Sequence, residues 1–329
     1  RLCAHQALGK KEFDSLTSDY AEEDDPQLID FIARHTLTRR GIRANRNQIL
    51  LTVGAQNALW MVAQLLLNKG KTAAYENPGY PGLRSILYQS DCELTAVDVD
   101  KDGLNPSKLP LGIDVVFTTP SHHAPTAVTM PMNRRHALLK RASDQNMIII
   151  EDDYEFEMSF LNAPSPALKS LDTDGRVIYI GSFSKSLFPG LRLGYLVASE
   201  PLIQQARALR STVLRHPPGH MQRTTANFLA LGHYDALVRR MKDAYFERRQ
   251  VMAKALREHG LTIAGSASFG GSSFWMRAPD HINTRNLASK LKEEGVLIEP
   301  GAPFFEGRDG PRNHYRLAYS SIDSEAITK

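Results

Sequence analysis

The chain has 329 residues, which is enough for one large domain with a smaller one or for two domains of similar size. Its 40 Lys and Arg residues against 36 Asp and Glu residues leave a net charge of +4 that is spread along the chain, so the charge pattern does not indicate a nucleic-acid or membrane surface. The 2 cysteines exclude a disulfide framework and a cysteine-rich zinc site, and we expect a cytoplasmic protein without a membrane span or signal peptide.

Short apolar runs alternate with helical patterns through the first two thirds of the chain. The stretch 56–70 is predicted to be a helix because its apolar residues recur at spacings of three and four. Continuous apolar strands that alternate with helices predict an α/β domain, in which a mostly parallel sheet is covered on both faces. The predicted strands are 48–54, 72–77, 93–100, 114–120, 146–153, 176–182 and 193–199.

The pattern changes after HPPGH, at 216–220, which we take as the joint between two domains. A long charged helix is predicted at about 221–259 and another helix at 284–294, with short apolar runs around the second helix. This mixture predicts a smaller α+β domain. We therefore place the large domain at 31–215 and the small C-terminal domain at 216–329.

Several special residues fall at the carboxyl ends of the predicted strands. In open α/β sheets, ligands bind in the crevice beyond these ends. The sequence therefore predicts one ligand site at this edge of the sheet, close to Gly54, Asn77, Pro120, Asp152 and Lys185.

Two short stretches near this edge are candidates for ligand contact. Gly54, Ala55 and Gln56 open the helix after the first strand, where free backbone N–H groups and the positive helix end attract an anion. An ordinary strand-to-helix turn is the alternative. Tyr80, in the turn ENPGYPG, is placed to stack on a flat ligand, and a packing tyrosine is the alternative.

The segment 182–195, SFSKSLFPGLRLGY, carries the sharpest signal. Ser182 and Arg192 suit a phosphate group, which leaves Lys185 available for Schiff-base chemistry. Asp152 ends the preceding strand and is followed by a second acid. Two acids at the mouth of a buried strand are unfavourable unless a cation faces them, and a solvated helix cap is the alternative.

Six motifs in this order carry a resemblance to a known family: GAQNAL, ENPGYPG, TPSHHAPTA, IIEDDY, SFSK with PGLRLGY, and HYRLAYS. Over essentially its whole length the chain resembles fold-type I pyridoxal-phosphate proteins of the aminotransferase kind. It is most similar to the effector-binding domain of MocR-type transcriptional regulators of the GntR class. The resemblance implies a three-layer, seven-stranded, mostly parallel sheet with a smaller α+β C-terminal domain, and pyridoxal 5′-phosphate as cofactor.

The resemblance also implies partners. In such regulators a winged helix-turn-helix DNA reader precedes this domain, and it would lie upstream of Arg1. Because the chain starts without Met and its last residues look like the beginning of a helix, we expect it to be part of a longer protein. In full-length regulators of this type the dimer is commonly domain-swapped, so the resemblance implies a palindromic or direct-repeat operator. A homodimer is implied too, with the N-terminal segment 1–30 packing across the interface and partner residues completing the cofactor site.

A role for each candidate residue follows from the resemblance. Lys185 would bond to the cofactor aldehyde, Asp152 would keep the pyridine nitrogen protonated, and Tyr154 would hydrogen-bond the phenolic oxygen. Tyr80 would stack on the ring. Arg316 would hold the carboxylate of an incoming amino acid through two hydrogen bonds. The phosphate would be bound by Gly54, Ala55, Gln56, Ser182 and Arg192.

One motif departs from the family pattern. Aminotransferases usually carry Asn-Pro-Thr-Gly, whose asparagine donates to the phenolic oxygen of the cofactor, whereas this chain has Ala124 at that place. Alanine cannot donate, so Tyr154 must serve alone unless His122 or His123 turns toward the ligand. The alternative for these two histidines is that they face solvent or the subunit interface.

The departure favours capture of an amine over turnover. We expect an effector-sensing domain that binds a small amine or amino acid as an external aldimine. A working aminotransferase is the alternative, while a degenerate domain without cofactor is disfavoured because Lys185, Asp152, Tyr154 and Arg192 are all present. The sequence leaves the effector open among amino acids, γ-amino acids, a sulfonate such as taurine and diamino acids from ectoine breakdown. It also leaves open whether the regulator activates or represses.

Overall fold

The computed structural model describes residues 1–9, 13–18, 23–160, 165–265, 270–307 and 310–327. In these residues the α-helices, numbered α1 to α12, are Leu2–Leu8, Phe13–Thr17, Pro26–Phe31, Gly54–Leu66, Pro81–Leu87, Met132–Asp144, Leu168–Leu171, Glu200–Val213, Gly219–Ala230, His233–Glu258, Thr284–Glu293 and Ser324–Ile327. Ile32–Thr36 is a π-helical turn, and the 3₁₀ helices are Thr38–Arg40, Arg46–Gln48, Pro106–Lys108, Phe156–Met158, Pro189–Leu191 and Ala302–Phe304.

Seven of the described strands form one sheet. Strands β1 to β7 are Ile49–Thr52, Thr72–Asn77, Glu93–Asp98, Val115–Thr118, Ile148–Asp153, Val177–Ser182 and Gly194–Val197. Their order is β1-β7-β6-β5-β4-β2-β3, and β7 is the one that runs antiparallel to its neighbours in this sheet. Every position of β1, β4, β6 and β7 is buried, as expected for a sheet covered on both faces. The predicted seven-stranded, mostly parallel sheet is confirmed.

Helices cover the two faces of this sheet and complete the three layers. On one face α4 packs through Ala58 and Val62, which lie one helical turn apart. On the other face α6 packs through Leu138 and Ala142, with the same spacing. Burying an aliphatic side chain the size of valine or leucine contributes about 1.5–3 kcal/mol. The apolar spacing of each helix therefore fixes which of its faces meets the sheet.

A second, smaller sheet is built from the C-terminal part of the chain. Its strands β8 to β11 are Thr262–Ile263, Ser273–Arg277, Glu299–Pro300 and His314–Ala318, in the order β10-β11-β9-β8 with antiparallel pairing. Phe274 and Tyr319 of this region share a core with Met252 and Leu256 of α10. The predicted α+β character of the C-terminal part is confirmed. The domain boundaries, at 31–215 and 216–329, stay predictions.

The predicted single helix at 221–259 is wrong. The structure has two helices there, α9 and α10, which Leu231 and Gly232 separate. Gly232 has φ of 76°, a left-handed conformation that interrupts a helix and that glycine adopts without strain. The one sequence signal for this break is the glycine itself, and an isolated glycine also occurs inside continuous helices.

The N-terminal helices pack on α9 of the same chain. Asp25 caps the start of α3 and also accepts a hydrogen bond from Arg223 Nε at 2.6 Å. Both side chains are buried, so removing one partner would cost about 3–5 kcal/mol. Residues 10–12 and 19–22 of the predicted interface segment 1–30 lie outside the described residues, and its place at an interface stays a prediction.

No helix in the described ranges is both long enough and apolar enough to cross a membrane. Helix α10 has the length, with 26 residues. Charged residues recur along all of it, however, so its composition does not suit a bilayer.

Candidate functional site

A cavity of about 390 Å³ opens between the large sheet and the small sheet. The carboxyl ends of β5 and β6 and the first turn of α4 form one wall, and β10 and β11 form the opposite wall. The ligand site therefore lies at the edge of the sheet that the sequence predicts. The predicted residues that line the cavity are Ala55, Gln56, Tyr80, Asp152, Tyr154, Ser182, Lys185, Arg192 and Arg316.

Lys185 lies in the loop after β6, and its exposed side chain lines the cavity. Strand β6 ends at Ser182, whose hydroxyl accepts a hydrogen bond from the Ser184 backbone N–H at 3.1 Å and turns the chain away from the sheet. Among the described residues, the Lys185 ammonium group has no hydrogen-bond or ion-pair partner. Its amine is therefore positioned at the cavity and available for reaction.

An anion cradle lies where α4 begins. Gly54 has φ of 76°, and a Cβ atom there would lie 3.0 Å from Arg192 Nη2, so glycine lets the guanidinium group reach the end of the helix. Arg192 donates a hydrogen bond to the Val53 carbonyl at 3.3 Å. No side chain of the described residues caps this helix, so its first backbone N–H groups are left for a ligand. These donors, the helix dipole and the guanidinium charge together suit a phosphate.

Asp152, near the end of β5, has a carboxylate oxygen without a partner. Its Oδ1 atom is buried and accepts no hydrogen bond from any described residue. Asp153 Oδ1 is likewise without a partner among these residues, but Asp153 Oδ2 accepts a hydrogen bond from Arg40 at 2.7 Å. Burial, followed by the charges of Asp153 and Glu76, raises the pKa of Asp152 to about 7. A buried acceptor of this kind is costly unless a cationic donor faces it, so it suits a protonated ring nitrogen.

Two tyrosines shape the same wall. Burial raises the pKa of Tyr154 well above its usual value, so its phenol is a neutral hydrogen-bond donor at the cavity. Tyr80 donates a hydrogen bond to Gln56 Oε1 at 3.2 Å. Its ring lies against Gly82, where a Cβ atom would come within 2.5 Å of the ring. The glycine therefore makes room for the Tyr80 ring at the mouth of the cavity.

The two predicted histidines lie behind the wall, and neither lines the cavity. His122 Nε2 is 3.6 Å from a Glu155 carboxylate oxygen. His123 Nδ1 lies 2.7 Å from the Thr126 hydroxyl, and its Nε2 is 3.5 Å from Glu76. Burial lowers the pKa of both rings, which are at most 10% exposed. They therefore point at different acids inside the chain and do not face solvent.

Arg316 lies on the opposite wall and already has a partner that sequence reasoning missed. Its Nε donates to Glu299 Oε2 at 2.6 Å, and its guanidinium carbon lies 5.7 Å from the centre of the Phe304 ring. Glu299 and Arg316 are directly opposite each other in β10 and β11. The sequence signal is an acid at the end of the apolar run in GVLIEPG, but pairing it with Arg316 requires the register of two short strands.

Comparison with known proteins identifies the family. The model of the family aminotransferase class I and II matches residues 6–329, and the chain belongs to this family. The chain is 59% identical over 327 residues to the HTH-type transcriptional regulator TauR of Rhodobacter capsulatus, covering 99% of this chain and 68% of that protein. It is 34% identical over 308 residues to the probable rhizopine catabolism regulatory protein MocR of Rhizobium meliloti, covering 92% of this chain and 62% of that protein. The predicted resemblance to MocR-type regulators is confirmed.

The fold is also that of solved aminotransferases. It matches LysN, the α-aminoadipate aminotransferase of Thermus thermophilus, with a TM-score of 0.89 and 27% identity over 99% of this chain and 84% of that one. That structure is complexed with N-(5′-phosphopyridoxyl)-L-leucine. The two regulators are longer, and the chain spans 68% and 62% of their lengths.

Membership of this family makes pyridoxal 5′-phosphate the cofactor of the chain, and the cavity fits it. The unpaired amine of Lys185 suits the aldehyde, and the partnerless Oδ1 atom of Asp152 suits the ring nitrogen. The uncapped start of α4 with Arg192 suits the phosphate. Ser184 Oγ, in the same wall, is likewise buried without a partner among the described residues. In the wall of this cavity, Asp152 Oδ1 and Ser184 Oγ are thus buried polar atoms that this cofactor would satisfy.

Proposed function

We propose that this chain is the effector-sensing domain of a transcriptional regulator and that it binds a small amine or amino acid at its cofactor. The observation that carries the proposal is a cavity that is lined by groups suited to the cofactor and also by Ala124. In aminotransferases an asparagine at this place donates to the phenolic oxygen of the cofactor, and alanine has no such donor. The 59% identity to a transcriptional regulator supports the regulatory role.

Different side chains of the cavity would bind different groups of the cofactor and the ligand. When bound, the cofactor supplies an aldehyde that bonds reversibly to primary amines and a ring that withdraws electrons. Lys185 would be the resident amine that a ligand amine displaces. Asp152 would hold a proton on the ring nitrogen, because its buried carboxylate is otherwise unpaired. Arg192 would bind the phosphate, and Tyr154 would be left as the donor to the phenolic oxygen.

A bound ligand reaches both walls of the cavity. Lys185 lies in the loop after β6 of the large sheet, and Arg316 lies in β11 of the small sheet. A ligand that replaces the Lys185 amine and contacts Arg316 would draw the two walls together. Closure of the cavity would act on contacts that already join the large-sheet part of the chain to the small-sheet part. Glu306 accepts hydrogen bonds from the Tyr75 hydroxyl at 2.7 Å and the Tyr88 hydroxyl at 2.6 Å. In this proposal the movement signals to an operator-binding helix-turn-helix domain outside these 329 residues.

A homodimer is part of the same proposal. Lys185 and Arg192 are exposed in a single chain, and so is the side chain of Phe188 between them. Leu2 and Leu8 are exposed on the first helix. A second copy of the chain would cover such apolar surface and close the cavity. Sedimentation of the holo protein should give the mass of a dimer, and a monomer at micromolar concentration would contradict this part.

A working aminotransferase is the second candidate. It is favoured by the match to LysN and by the unpaired amine of Lys185, which could move a proton at a substrate carbon. It requires continuous formation of an oxo acid with a co-substrate such as 2-oxoglutarate. It also requires Tyr154 to orient the cofactor ring without the donor that Ala124 lacks.

One titration separates the two candidates. The holo chain is mixed with a panel of amines and amino acids while the cofactor absorbance is followed, and oxo acid and pyridoxamine 5′-phosphate are measured in the same samples. Sensing predicts a saturable change of absorbance without release of either product. Continuous oxo acid formation would establish the aminotransferase instead. A spectrum that responds to no amine would overturn both candidates.

A further inference from the structure

Glu299 and Arg316 form an ion pair in the wall of the cavity. They lie directly opposite each other in β10 and β11, so the strand register holds them together. Arg316 Nε donates to Glu299 Oε2 at 2.6 Å, and Nη2 lies 2.6 Å from the same oxygen. One edge of the guanidinium group is thus occupied by a carboxylate of the protein.

This pair matters more to binding than to folding. The side chains of Arg316 and Glu299 are 31% and 49% exposed, and water screens a pair of this exposure so strongly that it adds little stability. Both side chains, however, line the cavity in which an amine ligand binds. The positive charge that would attract a ligand anion is therefore already neutralised by its neighbour.

The carboxylate of Glu299 competes with any anionic group of a ligand. Two negative groups on one guanidinium repel each other, and they do so more strongly in a cavity than in bulk water. A ligand carboxylate or sulfonate must either displace Glu299 or use Arg316 Nη1, which has no hydrogen-bond partner in the part of the chain that the structure describes. An amine without an anionic group meets no such competition.

We propose that Glu299 is a specificity-determining residue, which lowers the affinity of the cavity for amines that carry a carboxylate or sulfonate relative to amines that carry none. The proposal rests on the proposed function, in which amines bind at the cofactor. It means that Arg316 does not act as an unopposed anion receptor.

Taurine and ethylamine test this directly, because they differ by a single sulfonate group. The dissociation constant of each is measured from the absorbance of the holo chain, for the wild type and for Glu299→Gln. We expect Glu299→Gln to bind taurine at least about fivefold more tightly, since a nearby negative charge has been removed, and ethylamine within about twofold. Glu294→Gln is the matched control, since Glu294 is exposed and does not line the cavity.

The other possible results overturn either the role of Glu299 or the proposed function. Unchanged taurine affinity in Glu299→Gln, with normal ethylamine binding, overturns the proposal. Weaker taurine binding also overturns it, since Glu299 would then be a positioning residue that holds Arg316 for the anion. A wild-type holo chain that responds to no amine of the wider panel overturns the proposed function itself and the role of Glu299 with it.

Discussion

The two walls of the cavity differ in how far the protein satisfies its own polar groups. On the large-sheet wall, Asp152 Oδ1 and Ser184 Oγ are buried without partners, and the Lys185 amine is unpaired, among the residues that the structure describes. On the small-sheet wall, Arg316 is already paired with Glu299. Buried polar groups without partners are costly, so the first wall is built around a resident cofactor. On the second wall the charge of Arg316 is already paired within the protein and, in the described part of the chain, only Nη1 is left for a ligand, as suits a ligand that comes and goes.

The largest expected effect comes from removing the amine of the first wall. Lys185→Ala should abolish the covalent bond to the cofactor, and the absorbance band that depends on it should be lost at neutral pH. The ultraviolet-visible spectrum after dialysis against cofactor measures this. Lys140→Ala, which changes an exposed lysine of α6, should keep the spectrum. A Lys185→Ala variant with the wild-type spectrum would refute the assignment of the first wall.

The second largest effect should come from removing the charge of Asp152. Asp152→Asn cannot form a charge-assisted hydrogen bond to the ring nitrogen, a bond of about 1.5–3 kcal/mol, so the cofactor should bind about 10- to 100-fold more weakly. Equilibrium dialysis of the apo protein with cofactor measures the change. Asp235→Asn, at an exposed ion pair with Arg39, is the control and should bind the cofactor normally. Equal affinities in the two variants would mean that Asp152 does not face the ring.

Adding a donor to the first wall should have a smaller effect. Ala124→Asn should donate to the phenolic oxygen beside Tyr154, so the pH midpoint of the bound cofactor's absorbance should fall by about 1 unit, which corresponds to one hydrogen bond to a charged group. A spectral pH titration measures the midpoint. Ala124→Val adds bulk without a donor and should leave the midpoint in place. The same fall in both variants would show that the donor is not the cause.

The smallest expected effect concerns the apo protein and pH. The folded state raises the pKa of Asp152 from 3.8 to about 7, so it binds this proton more tightly than the unfolded state does. Stability should therefore fall as pH rises from about 4 to about 7. Asp152→Asn should make the decrease of stability with pH smaller, because it removes the contribution of Asp152. Glu151 and Glu157, whose pKa values burial also raises to about 7, should preserve the rest.

Melting temperatures of the two apo proteins, taken between about pH 4 and about pH 7, measure this difference. The cofactor should reduce the pH dependence of the wild type, since a protonated ring nitrogen would face the carboxylate. Identical slopes for the wild type and Asp152→Asn would indicate that Asp152 is solvated in the apo protein. The first wall would then lack the unsatisfied acid that distinguishes it from the second.

The first wall could be predicted from the sequence better than the second. Asp152 and Lys185 each follow a continuous apolar run, and the carboxyl ends of such strands meet at one edge, so local patterns were sufficient. Glu299 was missed because β10 has 2 residues and its partner Arg316 lies in another strand, so their contact depends on register. The directions of His122 and His123 could not be predicted either, because the acids they face come from packing that a local pattern does not encode.

The most direct test of the central claim is to trap the bond between the cofactor and the protein. Holo protein is reduced with borohydride, digested and analysed by mass spectrometry, with and without a saturating amine. We expect a pyridoxyl phosphate group on Lys185 in the absence of amine and its loss from Lys185 when the amine is present. Modification of a different lysine, or of none, would contradict the assignment of Lys185 as the resident amine.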